Sequence, residues 1–93
     1  MVLGEILKGT GASLDASAAS LEIKGITRDS RRVRPSYAFF ALSGRRVDGH
    51  SFAADAMKHG AAVCICERRI EGLPLTQVVL PNARRALAFA AAN

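Results

Sequence analysis

The amino-acid sequence predicts a three-layer α/β/α domain around a small, mostly parallel, mixed sheet. Two adjoining stretches carry this expectation. The run "AAVCIC", residues 61–66, is apolar without a polar alternate, which marks a strand covered on both faces. Directly before it, "HSFAADAMKHG" sets Phe52, Ala53, Ala56 and Met57 on one helical face, with Ser51 or His50 as cap and Gly60 at the left-handed stop. A helix that feeds a two-sided strand implies a parallel pair joined by a right-handed crossover.

The other elements alternate in the same way. Val2, Leu3, Ile6 and Leu7 stand at helical spacing and Gly9 closes them off, so a short N-terminal helix is expected. "TGASLDASAASLEI" is rich in small and turn-forming residues and reads as a loop. A short strand follows around 22–27 and a stronger one in "YAFFAL", residues 37–42, with Pro35 and Ser36 turning the chain between them. "LTQVVL" is a further short strand, and "NARRALAFAAAN" is a closing helix capped by Asn82 with Pro81 just outside. Phe39, Leu42, Phe52, Ala56, Val63 and Ile65 are expected to form the core between sheet and helix, with Phe40 and Phe89 also inside.

Composition narrows the class. The chain has 93 residues, enough for one domain with a real core, so residues 1–93 are read as a single unit. Apolar residues make up 49% and charged residues 23%, far from the disordered class. No apolar run approaches the roughly 20 residues that span a bilayer, and Glu5 and Lys8 interrupt what would have to be a signal core. A soluble, cytoplasmic protein without a membrane partner is expected. The sequence stops at Asn93 inside an alanine-rich helix with no C-terminal cap, and the chain is therefore read as part of a longer protein.

Cys64 and Cys66 fall on one face of a strand, a poor arrangement for a disulfide. Together with His50 and His59 they fit no zinc spacing, so buried thiols and no metal are expected. The net charge of +5 gathers at Arg28, Arg31, Arg32 and Arg34 and again at Arg45 and Arg46. On charge alone this reads either as an anion-binding surface or as a solvated one, and the solvated one is favoured.

In open α/β sheets ligands collect beyond the carboxyl ends of strands. Two polar, arginine-bearing loops, "RDSRRVRPS" and "SGRRVDGH", follow the first two strands. They either meet as one anion-binding ledge or stay separate surface loops, and the residues alone leave both open. Asp48 and Gly49 read as a turn and His50 as a helix start, so no catalytic residue is assigned. "KGTGAS" lacks the lysine of a phosphate loop and precedes no convincing helix.

The stretch "ITRDSRRVRPSYAFFALSGRRVDGHSFAADAMKHGAAV" resembles the N-terminal domain of the Mur ligases, whose pattern runs T-x-D-S-R-x-V-x-P-G, F-A-L-x-G, D-G-H-x-F. The likeness covers residues 26–63 almost without a gap and continues more loosely through "VVLPNARRALAFAAA". "DSR" with "FFAL" and "DGHSF" is most similar to the ligases that add the third residue, usually meso-diaminopimelate or L-lysine, to UDP-N-acetylmuramoyl-L-alanyl-D-glutamate. The ligase that adds D-alanyl-D-alanine is a close second. The resemblance implies a domain of Mur ligase N-terminal type that holds the UDP end of the substrate through Arg28 (by its backbone) and Ser30, with Arg45, Arg46 and Val47 completing the site. It also implies that ATP and Mg2+ bind central and C-terminal domains outside this chain, so that the 93 residues hold no cofactor and form no peptide bond themselves. Asp29 is expected to tie down Arg31 or a turn N–H. Where the family pattern has glycine after the proline, this chain has Ser36, which accepts a positive φ less readily and leaves the turn type open. A basic nucleic-acid module is the alternative from another class. With five aromatics, mostly assigned to the core, little is left for base stacking, and no nucleic-acid partner is expected.

Overall fold

The computed structural model describes residues 1–44 and 48–92. In chain order the elements are α1 (Leu3–Ile6), α2 (Ala16–Ala19), β1 (Gly25–Thr27), β2 (Tyr37–Phe40), α3 (Ala53–Lys58), β3 (Val63–Cys66), β4 (Thr76–Val79) and α4 (Ala83–Ala92). The strands form one sheet in the order β1-β2-β3-β4, and each neighbouring pair is parallel. Antiparallel pairing among the described residues is confined to an isolated bridge between Val2 and Glu22, which ties the N-terminus to the segment entering β1.

Strand alternation sends neighbouring side chains to opposite faces and so divides the core in two. One cluster joins Phe40, Val63 and Ile65 to Leu3, Ile6 and Leu7 of the N-terminal segment and to Ala83, Ala86 and Ala90 of α4. The other joins Phe39, Cys64 and Cys66 to Val33 and to Ala53 and Ala56 of α3. All four residues of β3 are buried, as its unbroken apolar run predicts. The three-layer architecture is the one expected from the sequence. Both thiols are free and share the α3 face. The Cys64 thiol is pushed well above its ordinary value by its neighbour Cys66 and by burial, so it stays protonated as a small apolar filler.

Several expectations change. Phe52 is 42% exposed rather than core, because it ends a 3-10 turn (Gly49–Phe52) whose tighter period rotates it off the Ala53/Ala56 face of α3. Phe89 is 45% exposed, since α4 buries Ala83, Ala86 and Ala90 and Phe89 lies off that line, against Gly9. Leu42, Val63 and Ile65 belong to the α1/α4 face, not to the α3 face with Phe39 and Ala56. The presumed loop after α1 contains α2, which Asp15 caps by accepting from the Ala18 N–H at 2.7 Å. The segment before α3 is capped not by Ser51 or His50 but by Asp48, whose carboxylate accepts from the His50 N–H at 3.0 Å.

The turn into β2 is settled as well. Tyr37 N–H donates to Arg34 C=O at 3.1 Å, and Ser36 has φ 69°. Proline followed by a residue of positive φ is a type II turn, here made with serine where glycine fits better. Gly60, the expected stop of α3, has φ 104°, and a Cβ there would meet the Pro35 backbone at 2.9 Å.

Candidate functional site

Because β1 and β2 are parallel neighbours, the loops that leave them rise from the same edge of the sheet. The first, residues 28–36, is a crossover too short for a full helix. Thr27 Oγ1 accepts from the Asp29 N–H at 3.1 Å, and Asp29 then caps a 3-10 turn (Ser30–Arg32) by accepting from the Arg31 N–H at 3.0 Å. The Arg31 guanidinium donates to both carboxylate oxygens of Asp29 at 3.1 Å. That charged hydrogen bond, with the Arg31 backbone N–H, holds the Asp29 carboxyl below its ordinary value. Asp29 thus does both things expected of it. The turn inserts Ser30 and Val33 into the protein and leaves Arg28, Arg31, Arg32 and Arg34 outside. A run that looks wholly polar in sequence is a crossover with one buried edge.

The second loop folds back on the end of β2. Gly49 N–H donates to Leu42 C=O at 2.7 Å, and a Cβ at Gly49 would sit 2.6 Å from Leu42 N. Two backbone strands therefore touch where only glycine fits. Asp48 accepts from the His50 backbone and ring, with Nδ1 to Oδ1 at 2.7 Å, and from Arg68. Arg68 above all, then the His50 N–H and ring, keep the Asp48 carboxyl far below the usual carboxylate range. The buried His50 ring accepts at Nε2 from the Glu67 N–H at 3.1 Å, which places its proton on Nδ1. Glu67 Oε2 in turn accepts from the Ala83 N–H at 3.0 Å, at the start of α4. His50 has a structural assignment: it links the second loop to the end of β3 and, through Glu67, to α4.

The loops enclose a cleft of ≈ 670 Å³. Arg28, Asp29, Ser30 and Arg31 line one side, and Leu42, Gly44 and Gly49 another. Phe52 and Asp55 enter from the α3 side and Arg84 from the first turn of α4. Arg28 and Ser30 are therefore brought together in one concavity with the second loop, Ser30 as a buried residue only 6% exposed. Arg45, Arg46 and Val47 lie outside the described residues. Arg31 is neutralised by Asp29, and Asp55 faces the His59 ring at 3.7 Å. Among the described residues Arg28 and Arg84 meet no carboxylate, so they leave the cleft with uncompensated positive charge.

Sequence reasoning missed Phe52, Asp55 and Arg84. Only the tertiary fold brings α4 over the strand ends, but two adjacent arginines in the first turn of a helix were a readable signal. The residues of "KGTGAS" do not fit an ATP phosphate loop. Thr10 spends its hydroxyl on Leu7 C=O at 2.6 Å, and the four-residue α2 that follows is already capped by a carboxylate.

Residues 22–92 match the family described as Mur ligase family, catalytic domain. The chain belongs to the Mur ligase family. It is 40% identical over 94 residues to the UDP-N-acetylmuramoyl-L-alanyl-D-glutamate--2,6-diaminopimelate ligase of Syntrophomonas wolfei subsp. wolfei, covering 100% of this chain and 19% of that protein. A crystal structure of MurF from Acinetobacter baumannii superposes with a TM-score of 0.67 at 40% identity, over 72% of this chain and 15% of that one. MurF from Thermotoga maritima in complex with ADP gives a TM-score of 0.62 at 30% identity, over 71% of this chain and 15% of that one. This Mur ligase chain thus spans less than a fifth of the length of the curated relative. Among the described residues no helix is long and apolar enough to cross a membrane.

Proposed function

We propose that this chain is the UDP-substrate-binding N-terminal domain of an ATP-dependent ligase that adds the third peptide residue, meso-diaminopimelate, to UDP-N-acetylmuramoyl-L-alanyl-D-glutamate in peptidoglycan synthesis. The cleft over the carboxyl ends of β1 and β2 carries the reading: it brings Arg28 and Ser30 into one concavity with Arg84, and among the described residues neither arginine meets a carboxylate. A hydroxyl and backbone groups suit the polar edge of uracil, and a cationic rim suits a diphosphate. Arg45, Arg46 and Val47 take part in holding the same substrate in this proposal.

The chemistry itself falls to the central and C-terminal domains of the longer enzyme, which hold ATP and Mg2+. This chain grips the uridine end, remote from the reacting carboxylate, and turns binding energy into orientation of that carboxylate. A cytoplasmic location follows from the reading, because the nucleotide-linked substrate and ATP are used together.

Titration of the 15N-labelled protein with the UDP-linked dipeptide tests it. Amide shifts are expected at residues 27–36, 42–55 and the first turn of α4. Shifts spread instead over α2 and β4 contradict the placement. A second reading, the ligase that adds D-alanyl-D-alanine, draws on the likeness to MurF at 40% identity. Assay of the longer ligase with diaminopimelate against D-alanyl-D-alanine separates the two.

A further inference from the structure

We infer that Arg84 and Phe52 complete the cleft from outside its two loops, Arg84 as the clamp for the ligand's diphosphate and Phe52 as the face on which its uracil ring lies. The inference rests on the nucleotide-sugar reading above and assigns two contacts that neither loop supplies.

Arg84 stands where helix physics disfavours it. The first turn of α4 holds no acidic residue but carries both Arg84 and Arg85, against the positive end of the helix dipole. Placement at odds with local stability is expected at functional positions. Among the described residues the exposed guanidinium bonds only Ser43 C=O, at 3.4 Å, a contact at the limit of hydrogen bonding that an anion would readily replace. Its backbone, by contrast, is fixed. Asn82 Oδ1 accepts from the Arg85 N–H at 2.9 Å and Glu67 Oε2 from the Ala83 N–H at 3.0 Å. Because Glu67 is held by His50, and His50 by Asp48, the second loop and Arg84 share one hydrogen-bonded frame. The backbone of Arg84 is therefore anchored at the cleft, and only its side chain has to settle on a ligand.

Phe52 supplies the apolar half of the ligand site. It is 42% exposed although the next residue, Ala53, is buried, and it lines the cleft together with Leu42. An exposed ring in one cleft with Arg28 and Arg84, which meet no carboxylate among the described residues, matches a ligand that joins a planar base to a diphosphate.

The test titrates the 15N-labelled protein with uridine and with UDP. Arg84→Gln is expected to weaken UDP at least about tenfold, the range for a charge-assisted hydrogen bond, and to leave uridine within twofold. Arg84→Lys, which keeps the charge, should recover part of the UDP affinity. Phe52→Leu is expected to weaken uridine and UDP alike, about fivefold or more. Both side chains are exposed, and unchanged amide spectra outside the cleft verify that the variants are folded. If UDP binds at the cleft but Arg84→Gln leaves it within twofold, or weakens uridine equally, the clamp is wrong while the nucleotide reading stands. Phe52→Leu without effect on either ligand likewise removes the stacking face. If neither uridine nor UDP shifts the cleft of the unaltered protein, the nucleotide reading itself fails.

Discussion

The two faces of the sheet are built from different materials. On the α1/α4 face the core is made of long side chains, with Leu3, Ile6, Leu7, Ile23, Phe40 and Ile65 buried together. On the α3 face Phe39 and Val33 are surrounded by Ala41, Ala53, Ala56, Ala61 and two cysteines. Long side chains maximise buried apolar area, whereas small ones let backbone approach backbone. The second face is the one onto which the crossover of residues 28–36 and the Gly49–Phe52 turn close, and its small residues draw them in toward the strand ends. One face chiefly supplies stability and the other shapes the cleft.

Truncation on the aliphatic face should have the largest effect. Ile65→Ala is expected to cost about 2–5 kcal/mol in chemical denaturation, with the cleft's amide shifts unchanged in whatever fraction stays folded. A loss below 1 kcal/mol would erase the distinction between the faces. Gly49→Ala tests the close backbone approach on the other side. Its new Cβ would meet the backbone of Leu42, so the loop must shift, at about 1–3 kcal/mol. Unlike the Ile65 variant, it should also displace the resonances of Leu42 and Phe52.

Smaller effects sharpen the picture. Ser36→Gly relieves a left-handed serine in the type II turn and should stabilise the protein by about 1 kcal/mol. A destabilised variant would mean that the Ser36 side chain matters more than its φ. Phe52→Ala should cost no more than about 1 kcal/mol of stability, in contrast to any residue of either core, because its ring is half outside. Asp48 gives a pH signature. Its carboxyl is lowered from an ordinary value of 3.8, so its contribution is present above that pH and lost as pH falls below it. Asp29 shifts in the same direction. Asp48→Asn should therefore soften the acid unfolding limb below pH 3.8 without abolishing it, and an unchanged limb would count against the Asp48 network.

The architecture was legible because its signals are local. The unbroken run of 61–66, the Asn82 cap and the Gly60 stop each need only neighbouring residues to be read, and each is where the sequence puts it. What escaped depends on phase or on tertiary distance. Phe52 reads as core when the helical period is extended back over it, whereas a 3-10 turn occupies 49–52 and breaks the 3.6-residue phase. Asp15 before an alanine run did announce α2, but the surrounding glycine and serine masked it. On the site side, the residues alone leave open whether the two loops meet, and the structure gathers Arg28 and Ser30 of the first with Gly44 and Gly49 of the second in one cleft. Arg84 reaches that cleft only through the packing of α4 on the sheet, a relation no local pattern encodes.

In the proposed function the Ser30 loop grips the uridine end of the substrate without touching the reacting centre. The most direct measurement is the steady-state kinetics of the longer ligase containing this chain, with and without Ser30→Ala, at saturating ATP and amino acid. The expected result is a higher KM for the UDP-linked dipeptide with kcat nearly unchanged, since the interaction is made equally in ground and transition states. The loss should be about 0.5–1.5 kcal/mol for a neutral hydrogen bond. A fall in kcat with KM unchanged would contradict the account, as would a KM that does not move at all.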